Sequence, residues 1–157
     1  MRITAKVDYA VRATVELAAA QTTGDGPRSP MKGEAIAAAQ QIPARFLETI
    51  LADLRRSGLV SSQRGSDGGY WLARPAADVS VADVIRAVEG PLADVHGSPP
   101  EEAVYAGSAV ELQRVWIATR VALRGVLEET SIAAIARGEL PAVVVALAEQ
   151  PGGWSRR

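Results

Sequence analysis

The run Arg64-Gly65-Ser66-Asp67-Gly68-Gly69-Tyr70 places one guanidinium among three glycines within seven residues. A guanidinium suits the narrow, electronegative minor groove of duplex DNA, and bare glycine backbone can approach phosphates closely. Upstream, Ala44, Arg45 and Glu48 sit within one helical turn. Arginine pairs bidentately with guanine, and glutamate accepts from the cytosine amino group. Lys6, Arg12, Lys32 and Arg56 are the cations that phosphate contacts would use, which position a protein on DNA without reading its sequence. Each reading has a plainer rival: Arg45 and Glu48 as a solvated i,i+3 pair, and Arg64 as a surface arginine.

Catalytic and metal chemistry has little to work with. The 157 residues include no cysteine and one histidine, His96. That excludes disulfides, thiolate zinc sites, thiolate-ligated iron–sulfur clusters and cysteine nucleophiles. A Ser-His-Asp triad could use only His96, which otherwise reads as a surface loop histidine. No phosphate loop or nucleophile–base pair is visible. An enzyme is the weakest reading, and no cofactor is expected. Apolar residues at 48% and charged residues at 22% match ordinary globular usage and argue against wholesale disorder. No apolar run approaches the roughly 20 residues of a membrane span. The first residues carry an early acid, Asp8, and do not resemble a secretory signal, so a cytoplasmic protein without a membrane partner is expected. The net charge of −1 hides an asymmetry: 1–74 hold 10 basic and 7 acidic residues, whereas 75–157 hold 7 and 11. A basic head on an acidic body suits nucleic-acid binding.

These residues need elements to position them. Over 4–20, Val7, Ala10, Val11, Thr14, Val15 and Ala18 recur at the spacing of one helix face. The 22–30 stretch reads as a loop. A short helix is expected over 34–40, with Gly33 as N-cap and Ile36 inward. A third helix over 43–57 begins at Pro43, with Phe46, Leu47, Ile50, Leu51 and Leu54 as its buried stripe and Gly58 ending it. The runs 59–63 and 69–73 read as a β-hairpin across a 64–68 turn. Ser80, with Asp83 three residues on, caps a helix running to Glu89. Residues 91–108 are loop-like. The longest helical pattern covers 108–129, where Leu112, Val115, Trp116, Thr119, Leu123, Val126 and Leu127 form one stripe. Val110, Ile117 and Val121 widen that apolar arc beyond what a small domain needs, which points to burial against a second copy. The pairs Glu101-Glu102 and Glu128-Glu129 are expected to be solvated. Two short helical pieces over 131–136 and 141–148 and a loose tail complete the chain.

Three short helices followed by a hairpin is the order of a winged helix-turn-helix. The expected fold is mainly α, with a small β-hairpin wing and a long C-terminal dimerisation helix. The segments 1–13, 42–48 and 59–75, extended by Ile85-Arg86-Ala87-Val88-Glu89-Gly90-Pro91, closely resemble the Rrf2 family of bacterial transcription regulators, with its IscR, NsrR and CymR types. The resemblance implies a homodimer held by the long helix and bound to double-stranded DNA at a pseudo-palindromic operator. It places Ala44, Arg45 and Glu48 on the recognition helix and Arg64 on the wing. Cluster-binding members carry three cysteines between the fourth helix and the long one; here 93–108 has none. That family role is therefore excluded, and Asp8, near the place of an acidic cluster ligand in some members, reads as a solvated or hydrogen-bonded helix residue.

The expected DNA-contacting set is Lys6, Lys32, Ala44, Arg45, Glu48, Arg56, Arg64, Gly65, Ser66, Gly68, Gly69 and Tyr70. The expected division is a DNA-binding domain over 1–92, a loop over 93–107, a dimerisation helix with C-terminal helical pieces over 108–150, and a tail over 151–157. The function expected is a sequence-specific transcription regulator, a repressor, tuned by a small-molecule or protein effector of unspecified identity. The alternative is a winged-helix interaction module that regulates through a partner protein. A salt series of DNA binding separates the two.

Overall fold

The computed structural model describes residues 2–23 and 28–155, so the 24–27 part of the expected loop and the end of the expected tail lie outside the described residues. Helix α1 (Ala5–Thr23) is the spine against which α2 (Gly33–Gln40), α3 (Ala44–Arg56), α4 (Val81–Glu89) and α6 (Ile132–Arg137) all pack. Its small residues make this possible. Ala10 and Ala13 are fully buried and, with Val7, Leu17 and Ala18, allow neighbouring helices to approach closely. Thr14 is buried as well, and its hydroxyl donates back to the carbonyls of Ala10 and Val11, so no polar group is left unsatisfied. The buried arc is rotated relative to the sequence pattern: Val11 and Val15 are half-buried, and Ala13 and Leu17 take their places.

Helix α2 ends at Gln41, whose left-handed backbone (φ 52°) turns the chain into α3. Lys32, not Gly33, is its N-cap. In α3, Leu47, Ile50, Leu51 and Leu54 are buried, each contributing on the order of 2 kcal/mol by leaving water. Phe46 departs from the expected stripe and is 53% exposed. Its ring meets Tyr9 edge-on, with centroids 6.1 Å apart. The core side of α3 is already filled by the four aliphatic residues, so Phe46 is left at the boundary with α1. Gly58 ends the helix with φ +77°, and Leu59 N–H donates to the Leu54 carbonyl at 3.0 Å.

The wing pairs β1 (Val60–Gln63) with β2 (Gly69–Leu72), antiparallel, in the register Val60 to Leu72 and Gln63 to Gly69. Met31 adds a third pairing at the edge, exchanging hydrogen bonds of 2.9 and 2.8 Å with Tyr70. The sequence pattern contained no sign of it. Ser80 caps α4 as expected, with both halves of the capping box in place. Between α4 and α5 (Leu112–Leu127) the chain forms a tight turn at His96-Gly97, closed by Val95 and Ser98, and short 3-10 turns at Pro100–Glu102 and Gly107–Ala109. His96 is exposed on that turn with φ 54°.

The segment following α5 packs on the N-terminal helices. Assigned by sequence to the dimerisation part, it returns instead to the N-terminal core. Ile132 is fully buried. Its N–H donates to the Val79 carbonyl at 2.8 Å, and Val81 N–H donates to Thr130 at 2.9 Å. Residues 130–137 therefore complete the helical core, and α5 is an excursion from it. No residue of α5 is buried, and none of α7 (Ala142–Ala148). Val115 is 52% exposed and Trp116 38%; Thr119 is exposed, Leu112, Leu123 and Val126 are half-buried, and Leu127 alone of the stripe packs against the core. Residues 151–155 form turns beyond α7.

Candidate nucleic-acid interface

Helix α3 divides cleanly into two faces. Opposite the buried aliphatic residues lie Arg45, Glu48, Thr49, Ala52, Arg55 and Arg56, all exposed, as their spacing on a 3.6-residue helix requires. Ala44 starts the helix, also exposed. Among the described residues, no ion pair or side-chain hydrogen bond engages the charged groups of Arg45, Glu48, Arg55 or Arg64. Arg55 was missed in the sequence reading, although its spacing from Glu48 and Ala52 carried the signal.

The wing tip is held by the helix-turn-helix. Lys32 Nζ donates to the Gly65 carbonyl at 2.7 Å. Gly33, Ala44, Leu47, Glu48 and Tyr70 line a groove of about 210 Å³ between α2, α3 and the wing. Tyr70 thus stands at the junction of both elements, while Arg64, Gly65 and Ser66 are exposed beyond it. Two of the glycines serve the fold instead of leaving backbone open. A Cβ on Gly68 would fall 2.2 Å from the Gln63 carbonyl oxygen, and one on Gly69 would fall 2.5 Å from that of Met31. Both are buried. They are glycines because the turn and the Met31 edge pairing leave no room. Gly65, with φ +109° and open space around it, is the one exposed glycine at the tip.

Several expected phosphate-binding cations are already engaged. Lys6 Nζ lies 2.8 Å from Asp53 Oδ2 and donates to the Val88 carbonyl at 2.8 Å, tying α1 to α3 and α4. Its hydrogen bond holds the Asp53 carboxyl below the ordinary value of 3.8, against desolvation, with help from Arg56. Arg56 reaches the same carboxylate at 2.9 Å but remains largely exposed. Arg12 is engaged too: it is bound to Asp8 at 3.1 Å, donates to the Gln40 carbonyl and covers the Tyr9 ring. It joins α1 to α2. Arg28, not singled out in the sequence, stacks on Trp71 at 4.3 Å and donates to Gln63, which places a further guanidinium on the wing.

A family model of transcriptional regulators, described as iron-dependent, matches residues 3–138. The chain belongs to the Rrf2 family. It is a helix-turn-helix transcriptional regulator and not an enzyme. Rv1287 of Mycobacterium tuberculosis (strain H37Rv), by name an HTH-type transcriptional regulator, is 47% identical over 149 residues, covering 95% of this chain and 89% of the relative. The HTH-type regulator IscR of Cereibacter sphaeroides is 32% identical over 142 residues, covering 89% of this chain and 90% of the relative. Among solved structures, CymR, the global cysteine regulator of B. subtilis, superposes with a TM-score of 0.72 at 29% identity over 88% of this chain and 98% of CymR. The winged-helix fold of this Rrf2 regulator is that of the solved relatives.

The iron named in the family description finds no suitable ligands here. This Rrf2 regulator has no cysteine, and no three His, Asp or Glu side chains converge among the described residues. Where the loop after α4 meets α5, Asp94 and Glu101 stand with Arg86, Arg120 and Arg124. Guanidiniums repel a cation, and thiolates are absent, so the residues do not fit an iron centre. No described helix is long and apolar enough to cross a membrane.

Proposed function

We propose that this regulator binds a two-fold symmetric operator as a homodimer, with α3 in the major groove and the wing tip over the adjacent minor groove, and represses by occluding promoter DNA. The observation that carries this reading is the face of α3: Arg45, Glu48 and Arg55 are exposed, with no ion pair or side-chain hydrogen bond to their charged groups among the described residues, beside a wing whose tip Lys32 holds in place. Arg45 and Glu48 read bases; Arg55, Arg56 and Arg28 take phosphates. Arg64 enters the minor groove. Lys6 and Lys32 position α1 and the wing. Residues 1–92 with 130–137 form the DNA-binding unit, α5 the pairing element, and the protein works in the cytoplasm without an iron–sulfur cluster.

The test is recovery and sequencing of genomic fragments retained by the purified protein, followed by footprinting. The expected result is one inverted repeat with half-sites about one helical turn apart, 34–36 Å. Retention of fragments with no shared motif, or of none at low salt, would overturn the reading.

A further inference from the structure

Where α5 meets the segment after α4, polar side chains make contacts. Gln113 donates to the carbonyls of Glu101 and Ala103. Arg120 Nη1 meets Glu101 Oε2 at 2.5 Å, and Arg124 follows one turn later. Together with Arg86 of α4, these arginines line a cavity of about 210 Å³ closed by the 91–99 loop. Two guanidiniums one turn apart repel each other, and a cation-rich concavity has to be balanced.

The hydrogen bonding of Arg120 is incomplete. The Arg120 side chain is only 17% exposed, and its Nε is buried with no hydrogen-bond partner. A buried, unpaired donor is costly enough that native structures seldom keep one without a reason. Arg124 Nε stands 3.6 Å from Glu128, whose Oε1 is also taken by Arg86; Arg86 is 3.7 Å from Asp83 as well. Asp94 is turned to the Gly97 N–H. The carboxylate that meets Arg120 is Glu101, on the short turn Pro100–Glu102 and 54% exposed. Its own backbone N–H, then Arg120, hold it below the usual carboxylate range, and the charge of Arg124 adds to this. An exposed, loop-borne carboxylate is thus the group that meets the sheltered arginine.

We propose that the cavity between α4, the 91–99 loop and α5 binds a small oxyanion, a carboxylate or phosphate, which takes the unpaired Arg120 donor and displaces or joins Glu101. Planar guanidiniums bind both oxyanion classes bidentately, and the volume suits a ligand of a few carbon atoms rather than a nucleotide.

Calorimetric titration of the full chain without DNA tests the site, using inorganic phosphate and succinate as probes with ionic strength held constant by chloride. Saturation at one site per chain by either probe is expected, and the probe that saturates assigns the class. Arg120→Gln should weaken that binding at least tenfold. Glu101→Gln, an exposed and conservative change, should tighten it severalfold by removing the internal competitor, a gain that misfolding cannot imitate. No saturation by either probe would overturn the proposal. So would binding that Glu101→Gln leaves unchanged or weakens, because the ion would then lie elsewhere, as at the DNA face.

Discussion

Arg64 and Glu48 occupy the two elements proposed to read DNA, and their charges have opposite consequences beside a polyanion. Arg64 carries an exposed cation at the wing tip, so Arg64→Ala should weaken binding to most sequences and make the salt dependence shallower by about one counterion unit. Glu48 gains nothing from phosphates. Its place on the exposed face of α3 makes sense through base selection or rejection of wrong bases. Glu48→Ala should leave the salt slope unchanged, keep or raise non-specific affinity, and relax discrimination at one base pair by about 1–3 kcal/mol. Fluorescence anisotropy across a salt series with matched operator variants checks both. Equal weakening on all sequences by Glu48→Ala would break the assignment of α3 to base readout. Asp53 makes a different kind of residue-scale prediction. Its folded carboxyl titrates below the ordinary 3.8 because of Lys6. The stabilisation is therefore complete above the unfolded value and is lost as pH falls through the folded one. Asp53→Asn should cost up to about 1 kcal/mol at pH 7, limited because Lys6 is a third exposed, and less at a pH well below the ordinary 3.8. Urea midpoints at the two pH values decide it; an equal loss at both would show that the pair is not responsible.

At the scale of elements, α6 is the unexpected member of the core. Six residues would not form a stable helix alone; Ser131 caps it through the Ala134 N–H, and burial of Ile132, with α6 packed on α1 and the Ala76–Asp78 turn, supplies the rest. Ile132→Ala should destabilise the protein by about 2–5 kcal/mol, the range for a fully buried aliphatic residue. Thermal unfolding followed by circular dichroism would register it, and a change under about 1 kcal/mol would mean that α6 is peripheral. The consequence reaches the wing helices: because 130–137 anchor to α1 and to the start of α4, both ends of the α5 excursion are tied to the DNA-binding unit.

For the whole molecule, the open question is what covers α5 and α7. A helix of 16 residues with none buried, carrying Val115, Trp116 and Val121 to solvent, is not a stable arrangement for an isolated chain. Pairing with a second copy buries the patch by symmetry. Light scattering at micromolar concentration should give about twice the 16.5 kDa of one chain, and Val115→Glu, by placing a charge in the patch, should shift the mass toward one chain. A native protein that scatters as a single chain would rule out this use of α5.

Local rules made much of this protein legible in its sequence. Cap residues such as Ser80 and Gly58, the aliphatic stripe of α3 and the hairpin turns act over a few residues, so their signals are complete within short windows. The winged-helix order and the exposed set on α3 followed from them. The remainder depended on which distant segments meet. Phe46 has the helical spacing of a core residue, yet its exposure was decided by how α1 packs beside α3. Gly68 and Gly69 read equally well as room for phosphates; the Met31 edge strand and the tip turn decided that they make room for the chain itself. Lys6, Arg12 and Lys32 are indistinguishable in sequence from free surface cations, because a positive charge does not encode its partner. Only folding brought Asp53, Gln40 and the Gly65 carbonyl to them, and only the packing of α5 on the Pro100–Glu102 turn brought Arg120 to Glu101.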